Sequence, residues 1–75
     1  MILDIVLNKT DDGCIVSIPS IKGCECWAHN ENTAMDKILE LAAYYLKTDI
    51  NKFKLDKARG TRNKIIYKLV FNKSN

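Results

Sequence analysis

The stretch GCECWAHNENTAMDKILELAAYYLK, residues 23 to 47, changes its hydrophobic period part-way along, and that change decides the fold. Up to Ala28 the period is two, with Cys24, Cys26 and Ala28 on one face and Glu25, Trp27 and His29 on the other, as in a β-strand. Beyond Asn30 it becomes helical. Ala34, Ile38, Leu41, Ala42 and Tyr45 fall on one apolar stripe, with Asp36, Lys37 and Glu40 off it. Asn30, at the junction, is a good helix N-cap because its side-chain oxygen can accept from an amide that the first turn leaves unpaired. Glu31 suits the positive end of the helix dipole.

Working back towards the N-terminus, CIVSIP places Cys14, Val16 and Ile18 opposite Ile15 and Ser17, and Pro19 ends this strand by removing a ladder donor. ILDIVLN places Leu3, Ile5 and Leu7 opposite Ile2, Asp4 and Val6. Between the two, NKTDDG reads as a hairpin turn in which Asp12-Gly13 supplies a positive φ. Towards the C-terminus, residues 48 to 63 mix charges with isolated Ile50, Phe53 and Leu55 and read as a basic connecting segment, extended for a short piece around Phe53. KIIYKLVF is again a strand, with Ile65, Tyr67, Leu69 and Phe71 on one face and Ile66, Lys68 and Val70 on the other. The expected fold is α+β, a small antiparallel-dominated sheet in the order β-β-β-α-β with one helix packed on one face, as a single domain over residues 1–75. The helix leaves Ile2, Val6, Ile15, Trp27, Ile66 and Val70 uncovered on the opposite face. An apolar patch of that size predicts a homodimer or larger homo-oligomer.

A chain of 75 residues with 47% hydrophobic content forms one small core, burying about 60% of the surface that the unfolded chain exposes. No apolar run is long enough to span a bilayer, and Asp4 interrupts the N-terminal apolar stretch where a secretory signal requires continuity. The expectation is a cytoplasmic chain with reduced thiols and no membrane partner. Charge is unevenly spread. Residues 1 to 46 hold three basic residues against seven acidic ones, net −4, whereas residues 47 to 75 hold nine against two, net +7. The two halves predict surfaces with different tasks.

Cys14, Cys24, Cys26 and His29 are the available zinc ligands, yet on a strand His29 points away from Cys24 and Cys26, and C-x-C is a weaker signal than C-x-x-C on a turn. The plainer reading, small buried thiols under the helix, is favoured, with no metal and no cofactor. A reactive thiol would need exposure and a lowered pKa, which strand residues facing a helix do not offer. In the basic half, Lys52, Lys54, Arg59, Arg62 and Lys64 surround Phe53 and Tyr67, a composition able to track a phosphate backbone while an aromatic ring stacks on bases. Against it, alternation turns Tyr67 and Phe71 inward, and lysines also protect exposed edge strands.

The stretch DDGCIVSIPSIKGCECWAHNENTAMDKILELAAYYL, residues 11 to 46, resembles the N-terminal domain of the HicB family of antitoxins. Asp12-Gly13 corresponds to that family's acidic-Gly turn, Pro19 to its strand end, Gly23-Cys24 to its Gly-Cys pair, Ala34 to its helix alanine and Tyr45-Leu46 to the close of its helix. The chain departs from the pattern at Ala28, where glycine is usual, at Lys22, where a second proline is usual, and at Thr33, where an acidic residue is usual. The resemblance implies a partial RNase H-like fold that inhibits a small RNA-cleaving toxin of the HicA type, an enzyme with a double-stranded-RNA-binding-like fold and a catalytic histidine. Many members add a C-terminal DNA-binding module. Only NKSN follows the last strand here, so none is expected in this chain.

An RNase H-like nuclease would need a carboxylate cluster for divalent metal. Asp4 is one candidate, but Asp36 and Glu40 lie on the polar side of the helix and the last strand offers Asn72, so no catalytic residues are assigned and no enzymatic activity is expected. The expected toxin-binding residues are Asp11, Asp12, Glu25, Trp27, His29 and Glu31. Their carboxylates would compete with RNA phosphates and Trp27 would serve as the anchor. The alternative function is a small nucleic-acid-binding module using Lys52, Lys54, Arg59, Arg62 and Lys64.

Overall fold

The computed structural model of the protein describes residues 1–71, except the side chains of Lys57 and Ala58. Five strands and one long helix follow one another as β1 (Ile2–Lys9), β2 (Cys14–Ser17), β3 (Glu25–Ala28), α1 (Glu31–Leu46), β4 (Phe53–Gly60) and β5 (Lys64–Phe71). A single 3-10 turn, Ile50–Lys52, precedes β4. The sheet runs β3-β2-β1-β5-β4 with every neighbouring pair antiparallel. The class is α+β, as the periodicities require.

Register places the side chains as alternation demands. Leu7 pairs with Val16 and Ile65, and Val16 pairs with Cys26, so one face presents a continuous apolar row to the helix. Ile5, Leu7, Val16, Ile18, Cys24, Ile38 and Leu69 are fully buried or nearly so. The helix contributes Ala34, Met35, Ile38 and Ala42 to this core, and Leu41 is partly buried. Tyr45, expected on the buried stripe, is 43% exposed. The stripe is rotated towards Met35, and Tyr45 lies over the Gly23 turn, where a β-carbon would stand 3.4 Å from its hydroxyl.

Two local expectations are corrected. Residues 48 to 63 are mostly a strand rather than a connection. Phe53 and Leu55 pair with Phe71 and Leu69, and the Phe53 and Phe71 rings meet edge to face with centroids 5.5 Å apart. Lys54, Leu55 and Asp56 are all exposed at this sheet edge, so burial supplies little of the period that marks a strand in sequence. Secondly, the β1–β2 turn does not use a positive φ at Gly13; among the described residues the only glycine there is Gly23, at 82°. The turn closes instead through Thr10, whose amide donates to the Gly13 carbonyl at 2.7 Å and whose hydroxyl accepts from the Gly13 amide at 3.1 Å. Glycine is needed at 13 because a β-carbon would collide with the carbonyl oxygen of Ala28 and stand 3.0 Å from the Trp27 ring.

Candidate functional site

The face of the sheet opposite the helix carries Ile2, Val6, Ile15, Trp27, Ile66 and Val70, and its rows follow from the register. Trp27 pairs with Ile15, Val6 with Ile66, and Ile2 with Val70. The six do not form one patch. Asp4 pairs with Lys68 between the Val6–Ile66 and Ile2–Val70 rows, the ammonium and carboxylate 2.5 Å apart, so a polar seam divides the face. Half-exposed, this ion pair adds little stability; its effect is to separate a diagonal of Trp27, Ile15, Val6 and Ile66 from an isolated Ile2–Val70 pair. Asp4 inside an otherwise apolar strand was the sequence signal for this division.

Trp27 dominates the larger patch. It is 42% exposed, its indole lies across Gly13, and the His29 ring meets it edge-on with centroids 4.6 Å apart. The contact with Gly13 brings the exposed Asp11 and Asp12 of the turn to the same end of the sheet, and Glu25 lies two residues from Trp27 on the same face. Asp11, Asp12 and His29 therefore lie at the Gly13 end of Trp27, and Glu25 on its other side, opposite Ser17. Glu31 lies elsewhere. Its carboxylate accepts a hydrogen bond from the Tyr67 hydroxyl and stands 3.9 Å from the Lys9 ammonium, on the helix side of the sheet. Sequence reasoning missed this partnership because 36 residues separate the two groups. It also missed Lys37, whose ammonium donates to the Trp27 carbonyl at 3.4 Å from the first half of α1.

The basic residues divide between regions. Lys54 pairs with Val70, Arg59 with Ile66 and Lys64 with Asn8, which puts these three on the uncovered face with Lys68. Arg59 and Lys68 line a cleft of about 260 Å³ with Asp4 and Ile66. Lys52 belongs to the 3-10 turn and Arg62 to the β4–β5 hairpin loop. Phe53 and Tyr67 face the helix side, packed against the core, so the cations and these two rings lie on different faces. A hollow of about 900 Å³ lies away from Trp27, at the end of α1 between Glu40, Tyr44, Lys47, Asp49 and Lys52.

The cysteines sit under the helix. Cys14 and Cys24 are buried, and Cys26 Sγ lies 3.9 Å from the Ala34 carbonyl oxygen. Burial pushes the Cys24 thiol above its ordinary pKa, with Cys26 adding to the rise. Cys26 is raised by burial as well, against the pull of the Lys37 ammonium. Thiolate, the nucleophilic and metal-binding form, is thereby disfavoured at both. His29 packs on Trp27, across the sheet from these thiols. Among the described residues no group of three or more histidines, cysteines and carboxylates is placed to hold a metal ion. Asp4 lies on the face opposite the helix that bears Asp36 and Glu40, and Asn72 falls outside the described residues. No helix among the described residues is long and apolar enough to cross a membrane.

Compared with models of protein families, with curated proteins and with solved structures, the chain matches none.

Proposed function

We propose that this protein is a HicB-like antitoxin or regulatory binding protein that occludes a small RNA-cleaving toxin with the Trp27 end of its uncovered sheet face. One observation carries the reading: a large aromatic ring, 42% exposed and packed against Gly13 and His29, has the acidic Asp11-Asp12 turn at one end and Glu25 two residues along its strand on the other side. Rigid aromatics that fill a partner's pocket dominate interface energies, while surrounding charges chiefly set association rate and orientation. An enzyme that cleaves RNA presents positive charge to hold phosphates, so carboxylates around an apolar anchor match it. The interaction protein acts by steric occlusion and uses no catalytic residue of its own.

The test is co-expression with any small protein encoded beside it, followed by co-purification and an RNA-cleavage assay. Trp27→Ala should weaken the complex by about 2 kcal/mol or more, and Asp11→Asn with Asp12→Asn should slow association and flatten its salt dependence. A neighbour that neither co-purifies nor loses its cleavage activity overturns the reading. A second reading, a nucleic-acid-binding module, is favoured by the presence of Lys54, Arg59, Lys64 and Lys68 on the same face as Trp27. Affinity for single-stranded RNA that falls steeply with added salt distinguishes it, because each phosphate contact releases counterions.

A further inference from the structure

The sheet has two edges, and they differ. β3 is four residues long, and Lys37 places an ammonium on its Trp27 carbonyl, a charge that discourages a further strand there. β4 is eight residues long and, among the described residues, pairs with β5 alone. Its register shifts between Lys57 and Arg59, a bulge that leaves Phe53 to Lys57 as the regular part. Within that part Leu55, a large apolar side chain on the helix side, is 38% exposed, flanked by the exposed Lys54 and Asp56 on the other face.

We infer that two copies of the chain associate through β4, edge to edge and antiparallel, about a two-fold axis at Leu55. This surface lies at the opposite edge of the sheet from Trp27 and does not depend on the antitoxin reading. In a two-fold antiparallel pair directly opposed side chains share a face, so the axis passes through one residue, which meets its own copy. With Leu55 on the axis, leucine meets leucine, and Lys54 of each copy opposes Asp56 of the other, giving two ion pairs and one apolar contact. Shifting the axis to Lys54 opposes two lysines, and shifting it to Asp56 opposes two aspartates. Like charges directly opposite are unfavourable, so only the Leu55 register is self-complementary. The product is a continuous ten-stranded sheet with both helices on one side and both Trp27 faces on the other.

The interface is small, so association is measured by sedimentation equilibrium of the full chain up to about 100 μM, the range expected for a weak contact. Wild type should populate a dimer. Asp56→Lys opposes lysines and Lys54→Asp opposes aspartates, so each variant alone should raise the dimer Kd at least about tenfold while keeping its circular dichroism spectrum. An equimolar mixture of the two variants restores both ion pairs and should re-form a one-to-one dimer. A wild-type chain that stays monomeric, a mixture that stays dissociated, or a dimer lost through Trp27→Glu but kept by Asp56→Lys overturns the inference. Trp27→Ala should leave the dimer intact while it weakens toxin binding, so the two readings fail separately.

Discussion

At the scale of single residues, Gly13 determines how the candidate site is built. The Trp27 indole can lie across the turn because residue 13 has no side chain, and the close approach of Ala28 to the turn has the same origin. Gly13→Ala should therefore lower stability by about 2 to 3 kcal/mol, since the obstacle is backbone rather than a side chain able to swing away. The matched comparison is Gly23→Ala. There the strain is a φ of 82°, the added carbon has only ordinary contact, and the cost should be about 1 kcal/mol. Urea midpoints measure both, and the Trp27 fluorescence maximum should move in the first variant and not in the second. The need for glycine at 13 was legible in the sequence, but its reason was not, because a turn motif carries no information about which distant strand passes beside it.

At the scale of elements, both ends of α1 are stated in local chemistry. Asn30 Oδ1 accepts from the Thr33 amide at 2.8 Å, as its position before the helical period predicts. The other end is less economical. Lys47 takes a left-handed conformation, φ 54° and ψ 51°, so that its amide reaches the Tyr44 carbonyl and the Thr48 amide reaches Ala43, a termination that glycine adopts without steric cost. Lys47→Gly should stabilise the protein by about 0.5 to 1 kcal/mol, the relief of strain being partly offset by loss of a cation near the negative end of the helix dipole. A rise in the urea midpoint with an unchanged slope is the expected result. β4 was the element that sequence did not reveal. An edge strand whose Lys54, Leu55 and Asp56 are all exposed carries a weak burial period, and its existence depends on pairing with β5.

At the scale of the whole molecule, the Tyr67–Glu31 hydrogen bond ties the start of α1 to the β5 side of the sheet. Partial burial first, and then the bond to Glu31 and its negative charge, push the Tyr67 hydroxyl up to about 12. The unfolded chain releases this proton near pH 10. Between the two values the native state binds more protons than the unfolded one, so stability present below about pH 10 should decline towards about pH 12. Tyr67→Phe removes the titrating group, and its stability should fall less steeply than that of wild type in urea unfolding over the same window. Equal slopes for the two proteins would show that other groups carry the whole decline.

The residues themselves determined the alternating faces of β1, β2, β3 and β5, the switch from strand to helix at Asn30, and the pairing of a covered face with an uncovered one. Each is a local periodicity, fixed by the geometry of strand and helix. Tertiary structure alone decided that Glu31 leaves the Trp27 cluster for Tyr67, that Asp4 and Lys68 divide the open face, and that β4 completes the sheet at its far edge. These depend on which residues distant in sequence become neighbours. That choice is made by strand order and register, and no short window of sequence contains both partners.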